Sequence, residues 1–103
     1  MHSGEGVKLL GANVIAYIES DGSYCHITTH DNERYTISKY LKDFEDYFGE
    51  NSDFVRTHKN SLINIKHIKE YSKGEPCFIE MINGKVFEVA RRKKQEVLGR
   101  LKK

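Results

Sequence analysis

The sequence predicts a mainly β, mostly antiparallel domain with one short central helix and one short basic C-terminal helix. Three features predict it. Tyr24 to His30 alternates a Tyr/His/Thr set with a Cys/Ile/Thr set, the two-residue period of a pleated strand. Asn83-Gly84 separates Cys77–Ile82 from Lys85–Val89, and Asn-Gly suits a two-residue type I′ turn in which both positions take positive φ. The period changes in between: Tyr40, Leu41, Phe44, Tyr47 and Phe48 fall at spacings of three and four, one face of a helix of roughly 10 residues.

The elements follow in order. Residues 1–6 read as a flexible lead and residues 7–103 as one domain. Residues 7–19 are rich in Val, Ile and Tyr and read as one or two strands interrupted at Gly11. Asp21-Gly22-Ser23 is a turn signal, and Asp31-Asn32-Glu33 is the turn before Arg34–Ile37. Ser38 suits the helix N-cap and Gly49 the residue that ends it. Phe54–Thr57 and Ser61–Ile65 read as strands around His58-Lys59-Asn60. Ile65 and Ile68 fit a short helical turn capped by Asn64. After the Asn83-Gly84 hairpin, Arg91–Leu101 sets Val97, Leu98 and Leu101 on one face of a basic helix. These segments are too short, and the loops too tight, for a doubly wound α/β domain.

Composition narrows the function. At 103 residues the chain is too short for a two-lobed enzyme, and six Tyr and five Phe argue against disorder. No apolar run approaches the roughly 18–20 residues that span a bilayer, and no secretion signal is visible at the N-terminus. Cys25 and Cys77 stand alone, so neither a disulfide scaffold nor a four-ligand zinc site is expected, and a cytoplasmic location is. Residues 91–103 hold seven Lys/Arg against Glu96, a charge of +6 that leaves −4 on the first 90 residues. A second basic run holds Arg56, Lys59, Lys66, Lys69 and Lys73 against Glu70 alone. Segregation of this kind suggests one anion-facing side.

Catalytic and metal-binding patterns are not found. His26 and His30 stand about 13 Å apart along an expected strand, and no helical pair of histidines has a third ligand. Ser20-Asp21-Gly22-Ser23 precedes no helix, as a nucleophile elbow must, and the glycines form no phosphate-binding fingerprint. Neither an enzyme nor a cofactor nor a metal is expected. The chain offers instead three polar or basic groups at loops and strand ends: Ser23-Tyr24, Arg56-Thr57-His58-Lys59-Asn60, and Arg91-Arg92-Lys93. Arg and Lys bind phosphate and read guanine, while Asn, Tyr and Ser reach base edges or phosphates.

Longer motifs then become readable. Ile15–Tyr24, reading IAYIESDGSY, resembles the "yIeAdGnY" opening of LytTR-type DNA-binding domains, and Phe54–Asn64, reading FVRTHKNSLIN, resembles the family's "FfRiHrSyLvN" signature. His67-Ile68, Asn83-Gly84-Lys85 and Val89-Ala90-Arg91-Arg92 follow at the family's positions, and Leu41–Phe44 falls where the family has a helix. The likeness covers about residues 13–101. It implies an elongated stack of small antiparallel sheets serving as the output domain of a bacterial response-regulator transcription factor, behind a receiver domain and under a sensor kinase. It further implies loops that enter successive major grooves of promoter DNA, on sites that direct repeats could pair. By motif the contacting positions are Tyr24, Lys59 and Arg91 or Arg92, with Arg56 and His58 in the same signature; their loop neighbours Ser23, Asn60 and Lys93 complete the expected DNA-binding residues. Asn60 stands for the family's Ser, Ser61 for its aromatic residue, and Lys59 is a point charge suited to phosphate rather than to bidentate guanine reading. Two other classes stay open on the residues themselves. One is single-stranded nucleic acid or RNA stacked on Tyr24, Tyr35 and Tyr40, and the other is a basic protein-interaction module.

Overall fold

The computed structural model describes residues 11–50 and 52–101. Eight strands and two helices follow one another: β1 (Ile15–Asp21), β2 (Tyr24–Thr29), β3 (Arg34–Ile37), α1 (Leu41–Phe48), β4 (Phe54–His58), β5 (Ser61–Asn64), β6 (Ile68–Tyr71), β7 (Cys77–Met81), β8 (Val86–Val89) and α2 (Lys94–Leu101). Every pairing is antiparallel. One sheet has the order β3-β2-β1-β5-β4 and the other β6-β7-β8, in a body of 41 × 24 × 24 Å. The expected elongated, mainly β architecture is therefore the observed one. The strand looked for at residues 7–10 lies outside the described residues.

The five-stranded sheet is buried on both faces, which is why β1 reads as an unbroken apolar run rather than an alternation. Ile15, Ile18, Cys25, Ile27, Leu62 and Phe54 pack with Leu41 and Phe44 of α1 on one side. Ala16, Tyr17, Val55 and Ile63 pack on the other with Ile79, Met81, Phe87 and Val89 of the small sheet and Val97 of α2. Ile15 and Ile18 share a core although they are three apart, because an irregularity between Ile15 and Tyr17 rephases the strand. Each of these fully buried isoleucines stabilises the fold by about 1.5–3 kcal/mol relative to exposure. The ring of Tyr17 meets that of Phe87 edge-on at 4.9 Å and ties the two sheets together.

Several local expectations change. The Asn83-Gly84 hairpin forms, but its turn is not type I′. Gly84 alone takes positive φ (95°), its N–H donates to the Met81 carbonyl, and Met81 N–H donates to the Lys85 carbonyl. The loop is thus three residues, Ile82–Gly84, with the glycine in the left-handed position that such loops require. Asn32, at φ 71°, closes the same kind of loop between β2 and β3, where Thr29 N–H donates to the Glu33 carbonyl. Helix α1 begins at Leu41, so its N-cap is Tyr40 and not Ser38, and the Asp43 carboxylate accepts from the Tyr40 N–H at 2.9 Å. Gly49, at φ 86°, ends the helix as expected. Tyr40 and Tyr47 are exposed, because a helix of 8 residues on a narrow sheet buries only the stripe carrying Leu41 and Phe44. Asn64 does cap a 3-10 turn, Ile65–His67, but β6 follows it directly. A second 3-10 turn, Arg91–Lys93, precedes α2 and shortens the expected C-terminal helix.

Candidate nucleic-acid interface

Antiparallel pairing brings the three polar groups to one end of the molecule. Asp21 pairs with Tyr24, so Gly22-Ser23 is a two-residue turn, with Gly22 at φ 64° as the first position of such a tight turn demands. Glu19 pairs with Ser61, which sets the β4–β5 turn beside the β1–β2 turn. Ser20 joins them twice: its N–H donates to the Asn60 carbonyl at 3.0 Å and its hydroxyl to Asn60 Oδ1 at 3.1 Å. The Ala90 N–H donates to the Thr57 carbonyl at 2.8 Å and brings the residues after β8 against the same turn. Cys25 pairs with Ile37, so the Ser38–Tyr40 connection comes to this end too. From β3 to β4 is four strand spacings, a row of about 19 Å.

The predicted positions divide within this row. Ser23, Tyr24, Lys59, Asn60, Arg91 and Arg92 are exposed on it. Arg56 is turned inward. Its Nε donates to the His58 carbonyl at 3.1 Å, one terminal nitrogen donates to the Lys59 carbonyl at 2.8 Å, and the other bonds the Glu45 carboxylate. His58 is half-buried where the β4–β5 pairing is irregular. Below it the Thr57 and Ser61 hydroxyls meet at 2.7 Å, fully buried. Lys93 is half-buried and lines an open groove of about 460 Å³ together with Glu45, Arg56, Glu96 and Arg100. The structure thus brings the first two groups and Arg91-Arg92 together and sets Arg56 and Lys93 behind them.

The charge on the row is basic at its exposed tips. Lys39, Lys59, Arg91 and Arg92 are exposed cations there, and the exposed acids beside them are engaged: Asp21 has its carboxylate 3.1 Å from His26 Nε2 and Asp43 accepts from the Tyr40 N–H. Glu75 in the β6–β7 loop is held below the usual carboxylate range, first by the hydrogen bond from Lys94 at 2.9 Å, then by the charges of Lys94 and Arg91. Burial pushes both the Cys25 and Cys77 thiols up, and the two sit in different cores. Among the described residues no three His, Cys, Asp or Glu side chains converge as metal ligands, and no helix is long and apolar enough to cross a membrane.

A family model of the LytTr DNA-binding domain matches residues 5–102. The chain belongs to the LytTR DNA-binding family. A solved LytTr DNA-binding domain, from a Bacillus cereus protein described as a methyl-accepting/DNA response regulator, superposes with a TM-score of 0.77 at 20% identity. The match covers 88% of this chain and 84% of that one. Comparison of the sequence with curated proteins gives no match. The matched model is that of a DNA-binding domain. Sequence reasoning did not place Lys39 and Tyr40 on the row, naming Tyr40 for binding only as a stacking residue for single strands, and it missed Ser20 and Glu45 behind it. Strand arithmetic could have found the first pair, since β3 must end where the antiparallel β2 starts. Nothing local marks Glu45, which lies 11 residues from Arg56 on a different element.

Proposed function

We propose that this LytTR domain binds double-stranded DNA in a sequence-specific manner, with the row of loops at one end entering successive major grooves. The observation that carries the reading is the pair of backbone links, Ser20 to Asn60 and Ala90 to Thr57, which set the three basic or polar loops side by side on a rigid sheet edge. In the proposed division of roles, Arg92 or Arg91 reads guanine, since a guanidinium beside a fixed strand end donates two parallel bonds to O6 and N7. Lys59 anchors on phosphate, Ser23 and Tyr24 contact either, and Asn60 presents the turn. His58 orients the turn from its half-buried position and Lys93 supports the third loop. The domain acts as the output half of a cytoplasmic response regulator, under a receiver domain and a sensor kinase.

The test is selection of duplexes from a randomised pool by the purified domain, followed by competition with single strands of the selected sequence. Enrichment of one motif that only duplex competes away is the expected result. Preference for the single strand would instead favour stacking on Tyr24 and Tyr40, both exposed at this end.

A further inference from the structure

The side chain of Arg56 occupies a position that a DNA-contacting arginine does not need. All three of its nitrogens point into the protein: two hold the carbonyls of His58 and Lys59, and the third meets Glu45. Its side chain is 23% exposed and that of Glu45 35%. Glu45 belongs to α1, which Leu41 and Phe44 fix in the core. The β4–β5 turn is therefore held from two sides, by Ser20 through Asn60 and by α1 through Arg56. A guanidinium is a planar fork, so one carboxylate on one nitrogen sets the plane in which the others meet their acceptors.

We infer that Glu45 is a positioning residue for DNA recognition: through Arg56 it sets the backbone of the β4–β5 turn and hence the direction from which Lys59 approaches the duplex. The inference rests on the DNA reading above, and it assigns a role to a helix residue that touches no DNA. Arg56 is the strut of the device. Lysine cannot replace it, because one ammonium on a flexible stem cannot hold two carbonyls and a carboxylate in one plane.

The test uses the 103-residue chain and the isosteric variant Glu45→Gln, with Arg56→Lys beside it. In free protein, ¹⁵N relaxation is expected to show lower order at the Lys59 and Asn60 amides in both variants, with the core amides unchanged. On the selected duplex both variants should bind roughly three- to tenfold more weakly, with the salt slope kept, since no phosphate contact is removed. In a Lys59→Ala background Glu45→Gln should cost nothing further, whereas in an Arg92→Ala background its cost should persist in full. Unchanged amide order in Glu45→Gln overturns the proposal, as does an undiminished cost in the Lys59→Ala background. The relaxation arm decides on the brace even if wild-type protein shows no duplex preference, an outcome that would strike only the DNA reading.

Discussion

The two ends of the large sheet are built from the same parts and use them differently. Where the β2–β3 and β7–β8 turns meet, side chains bind one another. Asn83 Nδ2 donates to Asn32 Oδ1 at 2.9 Å and to the Tyr17 hydroxyl at 3.0 Å, His30 stacks on His67 at 5.2 Å, and His67 Nε2 lies 2.7 Å from the Asn13 carbonyl. At the loop end the links run mainly through backbone: Ser20 N–H to Asn60, Ala90 N–H to Thr57, and the Arg56 fork onto two carbonyls. Among the described residues the side chains of Tyr24, Lys59, Arg91 and Arg92 themselves make no hydrogen bond, the bond to Lys59 falling on its carbonyl. Rigidity made from main-chain bonds leaves side chains available for a ligand, whereas rigidity made from side-chain bonds uses them up.

Substitutions at the two ends should therefore fall into two classes, binding losses without instability and instability without a change in specificity. The largest effect is expected from Arg92→Ala, or from Arg91→Ala should that be the reader: a loss of about 1–3 kcal/mol on the selected duplex with little change on random duplex. Titration of both duplexes reads this, and a uniform loss on the two would assign the arginine to phosphate instead. At the other end Gly84→Val forces a β-branched residue into φ 95° and should cost about 1–2 kcal/mol of stability. Its sequence preference should be intact, and an unchanged melting temperature would contradict the three-residue loop. Asn83→Ala loses both bridging bonds and should cost about 1 kcal/mol in denaturant unfolding, again without altering specificity.

Smaller effects refine the loop end. If roughly four to seven phosphates are neutralised, wild-type affinity should fall with salt at a log–log slope of about −4 to −6. Lys59→Ala should weaken selected and random duplex nearly alike and bring that slope about one unit closer to zero. A lost preference in Lys59→Ala, with a kept slope, would reverse the assignment of reader and anchor. The smallest effect concerns Glu75, whose carboxyl is held low by Lys94 and then Arg91. A depressed folded-state value means that the contribution is present above the ordinary carboxylate value and is lost as pH falls through the lower one. Thermal melts from neutral pH downward should show wild type slightly above Glu75→Gln near neutrality, with the gap closing on acidification.

Much of this was legible in the residues because strands and turns leave local marks. The alternation in β2, the Asn-Gly hairpin and the three- and four-residue spacing of Leu41, Phe44 and Phe48 each depend on a few neighbours in sequence. Turn type and helix start were less legible. Gly84 alone or Asn83 with Gly84 can take positive φ, and the register of β7 with β8 decides between them. At the site, the motif residues Tyr24, Lys59 and Arg91 were found from sequence and do share one end, but nothing local separated Arg56 from them. It is an arginine like Arg91 and Arg92, and the carbonyls of its own turn together with Glu45 of α1 turn it inward.

The sequence by itself determined most of the elements, though not β6, together with the antiparallel class, the polarity of the charge and, through its motifs, membership of the LytTR family. These rest on short-range periodicity and residue type, which survive without knowledge of the partners. Only the tertiary structure decided that the five-stranded sheet is covered on both faces, by α1 and by the small sheet with α2. Only it decided that the three loops stand in one row and that Glu45 reaches the second of them through Arg56. The reason is physical: these are contacts between elements distant in sequence, fixed by strand register and sheet packing, and register depends on which face each strand must bury.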